Sequence, residues 1–147
     1  MGGTQMRTPL FGKRVLVVED EPIVAMDYVS LLANAGARIV GTCATVREAL
    51  NFLEAPNDTR PIDAAVVDFV LADRNSEPLQ TELKQRHIPF VLVSAYPRSL
   101  VRTEAAEYIL QKPVPPGLLC EVLHDACRGQ EAAISAANLG PRSSPTT

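Results

Sequence analysis

Five polar side chains stand directly after apolar stretches of the sequence. Glu19 and Asp20 follow VLVV, Asp68 ends DAAVVD, Ser94 ends FVLVS, and Lys112 follows YILQ. Carboxylate oxygens suit Mg²⁺, and a carboxylate can attack phosphorus to form an aspartyl phosphate. Phosphoryl transfer also needs positive charge and hydrogen-bond donors, which Lys112 and Ser94 offer. The residue types therefore indicate a magnesium-dependent phosphoryl acceptor with Asp68 as the attacking group.

Each of these groups taken alone has a simpler explanation. Glu19, Asp20 and Glu21 could form an acidic cap at a helix N-terminus, where the helix dipole favours negative charge. Asp68 alone could cap a turn, and Lys112 alone could be a solvated strand end. The hypothesis of one shared site therefore depends on where the apolar stretches place all of these groups.

Short apolar stretches alternate with helical patterns along most of the chain. Four stretches are nearly unbroken, which is typical of strands buried on both faces, whereas a fifth is mixed and suits an edge strand. The predicted strands are Val15–Val18, Arg38–Cys43 (the edge strand), Ala64–Phe69, Phe90–Ala95 and Tyr108–Leu110.

The segments between these stretches carry helix signals. Pro22 suits a first helical turn, and apolar side chains recur from there to Gly36, a natural C-terminal stop. Thr45-Val-Arg-Glu48 is a capping box that opens a helix through Leu53. The predicted buried face of the first helix is Ile23, Met26, Val29 and Leu31–Ala33, and further helices are predicted at Leu79–Gln85, Ser99–Ala106 and Gly117–Cys127.

The alternation of strand and helix predicts an α/β fold with a doubly wound, five-stranded parallel sheet and helices on both faces. In such folds ligands bind beyond the carboxyl ends of the strands, where the strand order reverses. In a flavodoxin-like strand order 2-1-3-4-5, the first and third strands are neighbours, and the fourth and fifth follow. The acids, the hydroxyl and the ammonium are therefore expected to meet at one edge of the sheet.

Length and composition limit the organisation and the partners. With 147 residues, the chain suits one domain, placed at 12–128 between a flexible leader (1–11) and a flexible tail (129–147) that ends in a Pro/Ser/Thr-rich stretch. Within the tail, Gln130–Asn138 could instead extend a helix. A net charge of −3 gives no electrostatic support for nucleic-acid binding, and no apolar stretch reaches the length of a membrane span. We therefore expect a cytoplasmic protein with neither nucleic-acid nor membrane partners.

The pattern resembles the receiver domain of two-component response regulators between Lys13 and Arg128. The motifs that carry the resemblance are VLVVEDE, the strand ending at Asp68, the Ser94-Ala95 pair and the Lys112-Pro113 dipeptide. Together these motifs are specific, although each alone is weak.

The resemblance implies a role for each site residue. Asp68 would be the phosphoacceptor, Lys112 would pair with a phosphoryl oxygen, and Ser94 would be the switch hydroxyl that moves toward the phosphate. The implied Mg²⁺ ligands are Asp20, Glu19 (through water), Asp68 and the backbone carbonyl of Val70.

The sequence also departs from typical receivers. Glu19 stands where aspartate is usual, and Ala72 where proline is usual. The usual position of the switch aromatic is Ile109, and Tyr108 lies one place too early to face the same side of the strand. However, RHIPFVLVSAYP resembles the PFxFATGY signature of the divergent FAT GUY receivers, in which Tyr96 would supply the switch aromatic. The alternative is that Tyr96 only packs on the sheet edge.

The FAT GUY resemblance implies a lone receiver that works with a sensor histidine kinase of the HWE type. The expected function is that of a single-domain response regulator, not an enzyme. It would take a phosphoryl group onto Asp68 and signal through contacts with an effector or a further phosphotransfer protein.

Two alternatives remain open from the residues. A haloacid-dehalogenase-like phosphatase uses similar groups, but it needs a DxD pair where this chain has Glu19-Asp20-Glu21. The altered loop after Asp68 leaves open a receiver-like binding module that takes no phosphate.

Overall fold

The computed structural model describes residues 9–55 and 61–138, apart from the side chains of 134–138. Strands and helices alternate along this part of the chain. The strands are β1 (Arg14–Val18), β2 (Arg38–Cys43), β3 (Ala64–Asp68), β4 (Phe90–Ser94) and β5 (Tyr108–Gln111), and the helices are α1 (Pro22–Asn34), α2 (Val46–Glu54), α3 (Glu77–Gln85) and α4 (Pro116–Asn138).

The five strands form one parallel sheet in the order β2-β1-β3-β4-β5, which confirms the predicted topology. Asp68 pairs with Val93, and Ser94 pairs with Gln111, so the carboxyl ends of β3, β4 and β5 lie side by side. All residues of β1, β3 and β4 are buried, whereas the edge strands β2 and β5 are partly exposed. Three of the four nearly unbroken apolar stretches are therefore the central strands. The prediction was wrong for Tyr108–Leu110, which lies in the partly exposed edge strand β5, because its short apolar run does not show whether a further strand pairs beside it.

Helices cover both faces of the sheet and create two apolar layers. The layer under α1 and α4 contains the alternate strand residues Val15, Val17, Val66 and Val93, and the layer under α2 and α3 contains Leu16, Val18, Val67 and Leu92. Each fully buried aliphatic side chain contributes about 1.5–3 kcal/mol relative to an exposed one. The helix side chains that fill these layers are Tyr28, Leu32, Leu119 and Leu123 on one face and Ala49, Leu53, Leu79 and Leu83 on the other.

The first helix begins and ends as predicted, but its buried face matches the predicted one only in part. It starts at Pro22, and the chain turns at Gly36 with a positive φ of 98°, which glycine adopts without strain. The buried side chains are Tyr28 and Leu32, whereas Ile23 and Met26 of the predicted face are mostly exposed. The prediction was right for Leu32 and, in part, for Val29, but wrong for Ile23 and Met26. Apolar residues occur almost all round this helix, so periodicity alone does not select one side.

The capping box of α2 is confirmed. The Thr45 hydroxyl accepts a hydrogen bond from the Glu48 N–H at 3.0 Å, and Glu48 Oε1 accepts one from the Ala44 N–H at 2.7 Å. Two backbone donors at the start of the helix are thereby satisfied.

The predicted helix at Ser99–Ala106 was wrong. The connection between β4 and β5 contains only a 3₁₀ turn at Arg98–Leu100. The Thr103 hydroxyl accepts the N–H of Ala106 at 3.1 Å, which gives the backbone a side-chain partner in place of a helical carbonyl.

The ordered chain extends past both predicted domain limits. Leu10 is fully buried, and its N–H donates to the carbonyl of Ala35 at 3.0 Å, so the predicted leader ends too late. Helix α4 continues beyond Arg128 to Asn138, because EAAISAAN is rich in alanine, the best helix former. The rest of the predicted leader and tail, 1–8 and 139–147, lies outside the described residues. Across the part of the chain that the structure describes, no helix is both long enough and apolar enough to span a membrane.

Candidate functional site

Three carboxylates meet at the carboxyl edge of the sheet. Glu19 and Asp20 directly follow β1, and Asp68 is the last residue of β3; one oxygen from each lies within 4.8 Å of the others. Glu19 and Asp68 are each only 3% exposed, while Asp20 is partly exposed. The neighbouring parallel strands bring them together, as their positions in the sequence predict.

Lys112 supplies a positive charge between two of these acids. Its Nζ donates to Glu19 Oε1 at 3.0 Å and to Asp68 Oδ2 at 3.1 Å. Burial opposes the charge on Lys112, but the attraction of Asp68 and Glu19 outweighs burial and raises the pKa of the ammonium group. Lys112 therefore stays protonated, and its position after β5 is the predicted one.

The acids carry more negative charge than one ammonium can balance. Burial and the adjacent Glu19 raise the pKa of Asp68 to about 8, and Lys112 offsets this only in part. Burial also opposes the charge on Glu19, but hydrogen bonding by Asp68, the Glu21 N–H and Lys112 lowers its pKa. Burial and Glu19 raise the pKa of Asp20. A second cation would be strongly favoured at this position.

The donor atoms fit a small divalent cation. Asp68 Oδ1 is buried and has no hydrogen-bond partner among the described residues, which is costly for a carboxylate oxygen unless a cation completes its contacts. Mg²⁺ prefers oxygen ligands and is held in proteins by one or two carboxylates with water or phosphate. Val70, two residues beyond Asp68, lies in a bend in which it pairs with Asn75, and its side chain is exposed.

Ser94 and Tyr96 stand beside the acids, on the neighbouring strand and its following loop. The Ser94 hydroxyl accepts the Tyr96 N–H at 2.9 Å, and the Ser94 carbonyl accepts the Lys112 N–H at 2.8 Å. The Tyr96 ring is about half exposed and meets the edge of Phe69, with ring centroids 6.3 Å apart and an interplanar angle of 89°. Tyr96 thus contacts the residue that follows Asp68.

Ile109, at the usual position of the switch aromatic, and its neighbour Tyr108 face opposite layers, as expected. Tyr108 packs into the layer under α1 and α4, whereas Ile109 packs into the layer under α2 and α3. Tyr108 therefore does not replace the missing switch aromatic.

Two residues near the site were not predicted. Tyr28 of α1 is buried near the acids. Burial is the main cause that raises the pKa of its hydroxyl to about 12, and the negative charge of Asp68 and Glu19 adds to this shift. Asp73, in the loop after β3, accepts the N–H groups of Val46 and Arg47 at 2.9 and 3.2 Å and so caps α2. No local signal marks Asp73, because its partners lie far away in the sequence.

A five-stranded parallel sheet of this order, with three acids, a lysine and a hydroxyl at its carboxyl edge, defines the receiver class of signalling domains. Comparison with known proteins agrees with this class, although no family model matches the chain. The phyllosphere-induced regulator PhyR of Methylorubrum extorquens is 30% identical over 123 residues, which cover 81% of this chain and 45% of that protein.

Two solved structures support the same conclusion. The response regulator PhyR of Brucella abortus matches with a TM-score of 0.76 and 26% identity, over 88% of this chain and 54% of that one. The receiver (REC) domain of PhyR from Erythrobacter litoralis matches with a TM-score of 0.62 and 26% identity, over 93% of this chain and 97% of that one.

The chain belongs to the response regulator receiver domains, as its motifs predicted. It spans about half the length of the PhyR proteins from Methylorubrum and Brucella, 45% and 54% respectively.

Proposed function

We propose that this receiver domain accepts a phosphoryl group on Asp68 from a sensor histidine kinase, in the presence of Mg²⁺. The observation that carries the proposal is the convergence of Glu19, Asp20 and Asp68 within 4.8 Å of one another, with Lys112 bonded to two of them. An uncompensated acidic cluster beside a fixed ammonium suits the transfer of a doubly charged group better than it suits a structural role.

Each residue of the site has a separate role in the proposed phosphoryl transfer. A carboxylate oxygen of Asp68 forms the new bond to phosphorus while the bond from phosphorus to the donor histidine nitrogen breaks, and the released imidazole takes up a proton from water. The Lys112 ammonium pairs with a phosphoryl oxygen. Ser94 accepts from the Tyr96 N–H, so its own hydroxyl hydrogen is available to donate to another phosphoryl oxygen.

Glu19, Asp20, Asp68 and the carbonyl of Val70 are the groups that would hold Mg²⁺. When bound, the ion supplies positive charge next to the oxygens of the transferred group.

Phosphorylation would add a charge of about −1.5 to −2 next to Asp68 and draw the Ser94 hydroxyl and Lys112 toward it. The loop that follows β4 begins at these groups, so we propose that residues 95–107 shift between two arrangements that a partner distinguishes. The partner would be an effector or a further phosphotransfer protein. An HWE-type kinase is the donor that the Tyr96 motif favours.

The test is phosphoryl uptake by the purified chain from acetyl phosphate, and then from a panel of histidine kinases, with Mg²⁺. The wild type should gain one phosphoryl group by intact mass, Asp68→Asn should gain none, and EDTA should abolish uptake. Asp125→Asn, which changes an exposed carboxylate on α4, should load like the wild type. Full loading of Asp68→Asn would contradict the assignment of the acceptor, and no loading of the wild type by any donor would favour a binding module.

A further inference from the structure

A buried series of hydrogen bonds joins α3 to the segment between β4 and β5. Gln80, which is fully buried, donates from Nε2 to the Ser76 hydroxyl at 3.0 Å. Its Oε1 accepts the hydroxyl of Thr103 at 2.5 Å, and the oxygen of that hydroxyl accepts the Ala106 N–H at 3.1 Å. We call Ser76, Gln80, Thr103 and Ala106 the Gln80 relay.

The hydrogen bonds of the Gln80 relay are complete only while the segment keeps its observed position. The Gln80 amide donates one hydrogen bond and accepts another, and the Thr103 hydroxyl likewise donates one and accepts one. If the segment moves away, the buried Gln80 carbonyl loses this hydrogen bond, which costs free energy until another donor replaces it. An apolar residue in place of Gln80 would pack there without demanding one position of the segment.

The relay also begins next to the proposed phosphoacceptor. The Ser76 N–H donates to the carbonyl of Phe69 at 2.8 Å, and Phe69 is the residue after Asp68. The ring of Phe69 meets Tyr96 at the start of the same segment. Phe69 is therefore connected to the segment at two places, through Tyr96 and, by way of Ser76 and Gln80, through Thr103.

The described structure orders this segment through few other contacts, among them the partly buried packing of Ala105 and Ala106 against the core. Its regular structure is one 3₁₀ turn, Arg98–Leu100, and Val101 is its one side chain that is almost fully buried. Segments with few buried contacts open at a small free-energy cost, so the hydrogen bond from the Thr103 hydroxyl to Gln80 has a large share in holding this one.

We infer that Gln80 is a positioning residue that holds residues 97–107 in their resting place through Thr103. By this contact it sets how readily the segment moves when the site changes. The trigger in this inference, phosphorylation of Asp68, rests on the proposed function, whereas the holding of the segment does not.

The first experiment measures hydrogen–deuterium exchange in the full, unphosphorylated chain. Thr103→Val removes the hydroxyl but keeps the shape, so amides in 97–107 should exchange about threefold to tenfold faster, while β1 and β3 keep their protection. Gln80→Met, which breaks the relay from the other end, should give the same local effect. Thr103→Ser, which keeps the hydroxyl, should match the wild type, as should Thr81→Val at an exposed position of α3.

The inference is overturned if Thr103→Val and Gln80→Met exchange like the wild type in 97–107. It is equally overturned if exchange rises uniformly across the domain, because that is the effect of a general packing role.

The second experiment repeats the exchange after loading with acetyl phosphate and Mg²⁺, and intact mass reports the loading. Loaded wild type should show faster exchange in 97–107, and Thr103→Val should load equally but gain little more, because its segment is already released. Equal further gains in the two proteins would overturn the role of the relay in the response. If the wild type does not load, the proposed function fails, and the unphosphorylated comparison alone decides whether Gln80 holds the segment.

Discussion

At the residue scale, the central feature is an acid buried next to other acids. Asp68 is only 3% exposed, and Lys112, the cation beside it in the described part of the chain, is shared with Glu19. A buried carboxyl in this position either keeps its charge against repulsion or takes up a proton that the unfolded chain releases at neutral pH, and both cost stability. The burial of Asp68 beside Glu19 therefore lowers the stability of the fold, as is expected of a residue that serves chemistry rather than packing.

Asp68→Asn should accordingly stabilise the protein in the absence of divalent cations. Asparagine keeps an oxygen that accepts from Lys112 but removes the carboxyl, so the free energy of unfolding at pH 7 with EDTA should rise by about 1–3 kcal/mol. Urea unfolding followed by circular dichroism measures this change. Asp125→Asn should shift it by less than about 0.5 kcal/mol. A lower unfolding free energy for Asp68→Asn would show that the carboxyl is not under strain.

At the element scale, the edge strand β2 and helix α2 fit together because one residue lacks a side chain. A Cβ atom on Gly41 would lie 2.7 Å from Cε2 and 3.0 Å from Cζ of the Phe52 ring. Asp73 accepts hydrogen bonds from the N–H groups of the first turn of α2, so the packing of α2 on the sheet also positions the loop that follows Asp68.

Gly41→Ala should therefore lower the free energy of unfolding by about 1–2 kcal/mol, because the Phe52 ring must move. Gly117→Ala is the matched control: the added methyl group meets no atom within 4 Å in the first turn of α4. That substitution should leave stability unchanged or raise it by about 0.5 kcal/mol. Denaturant unfolding compares the two variants, and equal effects would mean that the contact with Phe52 is not limiting.

At the scale of the whole molecule, the long helix α4 contacts both the residue that precedes β1 and the edge strand β5. Glu131 on α4 pairs with Lys13 at the start of β1 at 2.7 Å. A Cβ on Gly129 would lie 3.2 Å from the Tyr108 hydroxyl, so the helix passes close over the edge strand β5. The first residues of α4 beyond 128 therefore contact the rest of the domain.

A chain that ends after Arg128 should unfold with a free energy about 1–2 kcal/mol lower than one that ends after Asn138, because Tyr108 loses its cover. Glu131→Gln in the full chain should change stability by less than about 0.5 kcal/mol, since that ion pair is largely exposed. Thermal and urea unfolding of the three proteins separate packing from charge. Equal stability of the two shortened chains would place the domain limit at 128 after all.

By itself the sequence determined the parts of the protein that depend on neighbouring residues. Apolar stretches marked all five strands, Pro22 and Gly36 bracketed α1, and Thr45 with Glu48 capped α2. The acids and the lysine could be predicted to converge because parallel strands place their carboxyl ends at one edge, so position along the chain is enough.

Only the tertiary structure decided the contacts between residues far apart in sequence. Gln80 meets Thr103, and Asp73 accepts the Val46 N–H, yet nothing local distinguishes Gln80, Thr103 or Asp73 from an ordinary polar side chain. The buried side of α1 was likewise decided by the sheet, because the helix is apolar nearly all round and its sequence leaves the choice open. Local propensity sets where elements begin and end, whereas the partner of each side chain follows from how the elements pack.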